Sequence, residues 1–562
     1  MTAQYNIIPI LAFYVKGFLP TSRAKSLMPR SRGEYTDREG ASVLRRRGDN
    51  MKLNRKSVLY GTMVLTLTSI VNQLLGFVYR IFLSRLIGAE VMGLYQLIMP
   101  VFSVILSLTA SGLTVAVSNL SSQYHALGDQ RAIRQVLRRC LTAFAAAFAL
   151  CALVVATCYD PISVYLLGDA RTQLGLLLLL PCILLTGVEN LHKHYFYGTG
   201  NVRPPAVVEL CEQIIRTGAV LGLLVWFLPQ NPERTVGLIV LGMILCEVFS
   251  ASTLFALYRR QVGVQGRGPL PPDEGRALNR RIAAIALPIG LTSLLGNLMG
   301  SANAVLIPQR LVASGTPVSQ AMSDFGVLCG MTLPMLCLPT ALIGAMGLVL
   351  VPKLAESVAL AQPQAVRRRI GRAILGTSVL IMPAMAILVV LGPEIGRFLF
   401  REPTVGRFIL PLSVGVLLSC YQAVLSGALN GVGKQQAAAR NSILCGLVQL
   451  GCTYFLMGLP GVGLSGYVAG VVISSALGVL INWAAVSRAT GLRPSLYRWL
   501  TAPALASVLM GLCSNLLFRV LLDAGLDGSL AVSACLIFSC VLYLCALSAQ
   551  GVRASTLFRL RD

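Results

Sequence analysis

TLTSIVNQLLGFVYRIFLSRLIGAE, Thr66–Glu90, is an apolar run that carries two arginines and is too long for one straight bilayer crossing. Extended back to Val58 it holds about 30 nearly unbroken apolar residues. At ~1.5 Å per residue a helix of that length reaches about 45 Å, against a hydrocarbon core of roughly 30 Å. Arg80 and Arg85 must therefore sit at the end of a span or inside a cavity, because a guanidinium facing lipid is costly. Cations retained in such a place point to an anionic ligand.

The rest of the chain repeats this character. Of 562 residues, 55% are hydrophobic and only 12% are charged, whereas a soluble domain carries about 25% charge. That excludes an aqueous globule. The net charge of +25 raises the question of nucleic acid, but the basic residues lie in short turns between apolar windows, where the positive-inside rule puts them. Nucleic acid is not an expected partner. Fifteen cysteines fall mostly inside apolar windows, none in a CxxC pair, and there are three histidines. The cysteines read as small hydrophobes, and no metal site is expected.

Apolar windows of about 20 residues recur fourteen times between residues 58 and 548, which predicts an all-α polytopic membrane protein. With the N-terminus inside, alternate turns collect Lys and Arg with a bias of about threefold, so both termini are expected in the cytoplasm. Residues 1–50 differ from the rest and read as a disordered tail or a mis-assigned start, with Met51 a natural first residue. Residues 51–260 form a first six-helix bundle, 261–280 a Gly/Pro-rich cytoplasmic linker, and 281–490 a second six-helix bundle. Residues 491–562 add helices thirteen and fourteen and a tail.

The two bundles repeat. Thr68-Ser69, Leu74 and Gly76 match Thr292-Ser293, Leu298 and Gly300, and Arg85-Leu86 matches Arg310-Leu311 with one residue inserted. Pro100 answers to Pro334, and Gly198-Thr199-Gly200 to Gly431-Val432-Gly433. Each half has an even number of helices, so the repeat is parallel, about an axis along the membrane normal.

GFVYRIFLSRLIGAEVMGLYQLIMP (Gly76–Pro100) and GTGNVRPPAVVELCEQIIR (Gly198–Arg216) resemble segments of the multidrug/oligosaccharidyl-lipid/polysaccharide flippase superfamily. The likeness is to the polysaccharide-transporter branch, with its stage V sporulation and MurJ-type lipid II flippases, and runs from about Lys52 to Arg553. It departs at Gln73, at Ser118-Asn119-Leu120 and at Val208-Glu209. The resemblance implies a flippase of the bacterial plasma membrane that moves a lipid-linked oligosaccharide, without enzymatic activity, alongside membrane lipids and cell-wall synthesis proteins. It also implies that helices thirteen and fourteen form a groove for the polyprenyl tail. The alternative on the same scaffold is a drug/cation antiporter, and a cell-wall enzyme or scaffold is a third reading.

Under this resemblance Arg80 and Arg85, with Arg310 at the equivalent place, are candidates to meet a pyrophosphate, since guanidinium binds two oxygens at once. Snorkelling to the headgroups is the plainer alternative for both. Gln73 and Asn297 stand at repeat-equivalent positions and could contact sugar hydroxyls. Glu212 and Arg216 are spaced i, i+4 and can neutralise one another; Glu209 and Glu247 have no partner in sequence. These four are candidates for ion coupling or a structural ion pair, with Na+ or H+ as the coupling cation. No nucleotide motif, catalytic group or cofactor is expected. His192 and His194 bracket Lys193 at a helix end and read as solvated.

Overall fold

The computed structural model describes residues 55–228, 231–262, 272–459, 461–495, 497–526 and 528–550. The expectations for residues 1–50 and for the C-terminal tail lie outside these. Every described element is helical. The opening run is resolved by one residue. Gly88 has φ 75° and ψ 175°, a conformation closed to side-chain-bearing residues, and it folds the Arg55–Leu106 stretch into two arms. We label these α1 (55–87) and α2 (89–126).

The chain continues through α3 (Gln130–Thr157), α4 (Gln173–Gly198), α5 (Arg203–Phe227) and α6 (Pro232–Val262). The second half begins at Pro272, so part of the expected linker is already helix. It comprises α7 (Pro272–Ala313), α8 (318–359), α9 (Pro363–Phe400), α10 (Ile409–Gly431), α11 (Gln435–Met457) and α12 (Leu464–Thr490). Then come α13 (Ala502–Asp523) and α14 (Gly528–Ala549).

Eleven helical stretches are long and apolar enough to cross a membrane. The first, Val64–Ala126, is the one folded at Gly88. Its two arms counted separately make twelve among the described residues, with α8 and α11 outside that set. Alternation of the helices places the turns after α2, α4, α8, α10 and α12 on one face. These turns are flanked by the arginine clusters, and we call this the basic face; Gly88 lies on the far face.

Pro334 sits beside a wide helical turn, Gly326–Thr332 in α8, whereas Pro100 lies about two turns before the one in α2, Ser107–Ser111. A proline lacks the amide hydrogen that a regular helix needs, and such turns accommodate the lost bond. In α8 the regular helix is interrupted between Cys337 and Thr340 by a tighter turn through Leu338 and Pro339.

At the far face the two halves are locked together. A Cβ on Gly93 of α2 would stand 2.1 Å from the Met322 carbonyl of α8, and one on Gly326 would stand 1.9 Å from the Ala89 carbonyl. One glycine from each half thus lets the two backbones cross in contact. Gln309 of α7 donates to the Leu166 carbonyl at 2.7 Å in the turn before α4.

At the basic face the seams differ. Between α2 and α7, Gly112 is pressed on the Ala286 carbonyl, and Arg281 donates to Tyr124 (2.9 Å) and Gln123 (2.8 Å). Arg139 of α3 donates to the Gly275 carbonyl at 2.7 Å and to Asn279 at 2.6 Å. In α8, by contrast, Gly344 and Gly347 meet nothing within 4 Å. The repeat makes α2/α7 and α8/α1 equivalent, and among the described residues such contacts are seen at the first.

Helices α13 and α14 attach to α9. Tyr543 donates to the Val379 carbonyl at 3.2 Å, and Ala502, Ala506 and Met510 bury against Val379. Ser514 and Ser539 join the pair at 2.6 Å.

Candidate functional site

Two groups of polar side chains lie inside the apolar mass. The first surrounds the interruption in α8. Where the helix tightens, the Cys337 carbonyl loses its regular helical donor, and the Gln73 amide (3.2 Å) and the Thr340 hydroxyl (2.7 Å) serve it instead. About two turns further along α1 stands Arg80, half-buried, with no hydrogen bond or ion pair among the described residues. Its charge is felt at Cys329 and Cys337 of α8 and at Tyr79 and Tyr95, so it lies between α1, α2 and α8. Asn297 of α7 is also half-buried, beside Gly296 and Gly300, which meet nothing within 4 Å.

Arg85 and Arg310 have other work. Arg85 is exposed and donates through Nε to the Leu399 carbonyl and through Nη2 to the Phe398 carbonyl, each at 2.5 Å. These carbonyls end α9, where the helix leaves acceptors unpaired and favours a cation. Beside it, Phe77 meets Phe400 edge to face at 6.1 Å. Arg85 thereby ties α1 to α9 across the halves. Arg310 donates from Nε to the Tyr454 carbonyl at 2.9 Å and lies 4.1 Å over the Tyr454 ring. It is bound at the far end of α11 rather than paired with Arg80.

The second group is an ion network between α4, α5 and α6. Lys193 lies 2.7 Å from Glu189, 3.1 Å from Glu209 and 3.9 Å from Glu212. Arg216 pairs with Glu212 and reaches Glu247 and the Cys246 sulfur, each at 3.4 Å. Ser250 donates to Glu212 at 3.4 Å. Glu189, Glu212 and Glu247 are buried, and one oxygen of Glu247 has no hydrogen-bond partner among the described residues. Four carboxylates thus face two cations.

The i, i+4 pair Glu212–Arg216 forms as its spacing suggests. Glu209 and Glu247, unpaired in sequence, are paired across helices. Glu189 and Lys193 were not recognisable as members, although their i, i+4 spacing was a usable signal. The solvated reading of the helix end around Lys193 is corrected. His192 is 1% exposed, and the Lys193 side chain is 12% exposed, held by carboxylates from α4 and α5. Glu212, Cys246 and Glu247 approach one another closely enough to suggest metal ligands. Arg216 is bonded to all three, so its guanidinium takes the place a metal ion would need.

The sequence profile of the polysaccharide biosynthesis protein family matches residues 58–358. The chain belongs to that family. Within it, stage V sporulation protein B of Bacillus subtilis (strain 168) is 26% identical over 77% of this chain and 84% of its own length. Among solved structures, the lipid II flippase MurJ in an inward closed conformation superposes with a TM-score of 0.64 at 12% identity, covering 87% of this chain and 98% of that one. A multidrug resistance MATE family transporter of the MOP superfamily, inward-facing, gives 0.62 at 16% identity, covering 77% of this chain and all of that one. Two of these proteins are named as a flippase and a transporter, and this family member is a multi-pass membrane protein.

Proposed function

We propose that the protein flips an undecaprenyl-pyrophosphate-linked sugar, lipid II or a related cell-wall, spore-cortex or polysaccharide precursor, from the inner to the outer leaflet by alternating access. The observation that carries this reading is Arg80, a half-buried cation on a bilayer-spanning helix with no protein anion bound to it among the described residues. A pyrophosphate supplies what it lacks, because a guanidinium binds phosphate through paired, charge-assisted hydrogen bonds. Gln73, about two turns before Arg80 on α1, and Asn297 of α7 serve sugar hydroxyls in this scheme. The Gly93–Gly326 crossing that closes the far face suits loading from the basic face, taken as cytoplasmic in a bacterial plasma membrane with both termini inside.

Conversion to the opposite state requires the Gly93–Gly326 crossing and the Arg85 latch to part while α8 closes on α1. Arg85 acts in this scheme as a gate residue. The network of Glu189, Glu209, Glu212 and Glu247 with Lys193 and Arg216 has two more acids than bases. In an apolar interior the surplus is neutralised by H+ or Na+, which makes this network the coupling site. The drug/cation antiporter alternative is not favoured, because its acids would face the central cleft, whereas these are bound to Lys193 and Arg216 inside one half.

The test is leaflet accessibility of labelled lipid II in cells depleted of other flippases. The protein restores outward transport, and Arg80→Gln abolishes it with expression unchanged. Absence of restoration removes the flippase reading, and full activity of Arg80→Gln removes its assigned carrier. Collapsing the Na+ and proton gradients separately identifies the coupling ion.

A further inference from the structure

Glu247 is the acid of the ion network that the cations serve least. It is 3% exposed and lies on α6, about 22 Å from the helix end at the basic face at ~1.5 Å per residue. Its Oε1 reaches Arg216 at 3.4 Å, a long contact, and its Oε2 meets no donor among the described residues. Arg216 is committed first to Glu212, with which it forms the closer pair. An ionised carboxylate so poorly served is costly in an apolar interior.

Its neighbours are other acids. A Glu247 oxygen lies within 4.8 Å of a Glu212 oxygen and of the Cys246 sulfur, and the Glu247 carboxyl is within hydrogen-bonding reach of Glu189. An ionised carboxylate can only accept, so two carboxyls in that relation share a proton or repel one another. Glu189 is the natural acceptor of the two, because Lys193 stands 2.7 Å from it and stabilises its charge. The other groups around the pair do not supply the missing hydrogen. Cys246 donates to the Met243 carbonyl at 3.0 Å, and Ser250 donates to Glu212. Cys182 of α4 also faces Glu247, and Tyr79 of α1 and Tyr95 of α2 stand beyond, toward Arg216 and Cys246.

A sodium ion does not suit this place. The Glu212, Cys246 and Glu247 atoms that would hold it converge on the Arg216 guanidinium, which fills the space and repels a second cation. A proton needs no room of its own. It also has a route, since the Glu209 side chain is 24% exposed and Lys193 joins it to Glu189.

We propose that Glu247 is protonated and donates to Glu189, and that H+ rather than Na+ is the ion this network takes up. Uptake adds one proton to the Glu247 carboxylate and lowers the surplus negative charge of the network from two to one, which the partly exposed Glu209 carries. The link to transport rests on the coupling site proposed above, whereas the proton itself does not.

The experiment is infrared spectroscopy of the full chain in detergent at neutral pH, read at the carbonyl stretch of protonated carboxyl groups, which moves on transfer to deuterated water. Wild type shows this band, and Glu247→Gln loses one carboxyl's share of it. The unfolding temperature of Glu247→Gln stays at the wild-type value, because a neutral amide has the shape of the protonated acid. Glu90→Gln, which alters an ion pair with Arg171, leaves the band unchanged, as does excess Na+ at fixed pH. A band missing from wild type, retained in full by Glu247→Gln or abolished by Na+ overturns the proposal. Failure of Glu247→Gln to fold overturns it too, since it would show that the charged form is required. The wild-type spectrum and the Na+ addition need no variant. Leaflet transport driven by a proton gradient is lost in Glu247→Gln; transport at the wild-type rate with the band gone strikes the coupling reading and not the proton site, since no spectroscopic measurement here uses a transported lipid.

Discussion

The two halves descend from one pattern but have opposite interiors. Superposing Gly431-Val432-Gly433 on Gly198-Thr199-Gly200 places Gln422, Ser426, Ser442, Cys445 and Gln449 where the first half has Glu189, Lys193, Glu209, Glu212 and Arg216. Every charge of the first half's α4 and α5 cluster is replaced by a neutral group. The second half is held instead by short-range polar pairs: Asn441 donates to Asn482 at 2.8 Å, Ser419 and Ser475 meet at 2.8 Å, and Ser378 meets Tyr421 at 2.6 Å. A fold that is stable with the neutral set does not need the charged one for packing. Buried ion pairs gain little over well-packed apolar side chains, so the charges of the first half call for a functional reason.

The strongest way to break this comparison is Lys193→Met. It leaves Glu189 and Glu209 without their cation inside the bilayer, and removal of one partner from a buried pair costs about 3–5 kcal/mol. Thermal unfolding in detergent should show a large loss, with partial recovery in Lys193→Met/Glu189→Gln, which removes one stranded carboxylate. In the second half, Ser426→Ala at the equivalent position should leave the unfolding temperature near wild type. Similar losses at both positions would mean that the charged cluster is no more demanding than the neutral one.

A smaller effect separates the seams. A Cβ at Gly112 would stand 2.0 Å from the Ala286 carbonyl, a backbone atom that cannot rotate away. Gly112→Ala should therefore cost about 1–3 kcal/mol, the usual range for overpacking. Gly347, one residue from the matching place in α8, has open space, so Gly347→Ala should be neutral or gain up to about 1 kcal/mol of helix propensity. If both substitutions are neutral, the α2/α7 seam is not tighter than its counterpart. If Gly347→Ala blocks transport while leaving stability intact, the open surface of α8 closes during the cycle.

Much of the fold was legible because a bilayer constrains sequence so strongly. Length, apolarity and turn charge predict the helices, and the matched motifs predict the halves. The break at Gly88 was hidden, since nothing in its apolar surroundings marks that glycine out from Gly76, which stays helical. The site was legible only where partners are neighbours in sequence, as Glu212 and Arg216 are. Lys193 carries the sequence signs of a solvated turn and becomes interior only because α5 and α6 close over α4. Repeat logic failed to place Arg310 with Arg80 for a related reason. Its surroundings are set by Tyr454, more than 100 residues away in α11.

The smallest expected effect tests the neutral half directly. Asn441 and Asn482 are both buried and satisfy each other between α11 and α12, while Asn482 also points toward the Gln422 carbonyl at 3.5 Å. Interhelical hydrogen bonds in a membrane average about 0.6 kcal/mol, because the unfolded helix also finds partners there. Asn441→Leu should thus lower stability by about that amount plus a contribution from the stranded Asn482 amide, and Asn441→Leu/Asn482→Leu should recover most of the loss. The outcome bears on the charged half as well. The double replacement removes both polar groups from one helix contact, as no pair of substitutions can do in a cluster where Lys193 touches three carboxylates. A loss in Asn441→Leu as large as that in Lys193→Met would place specific polar contacts, rather than net charge, at the root of the difference between the halves.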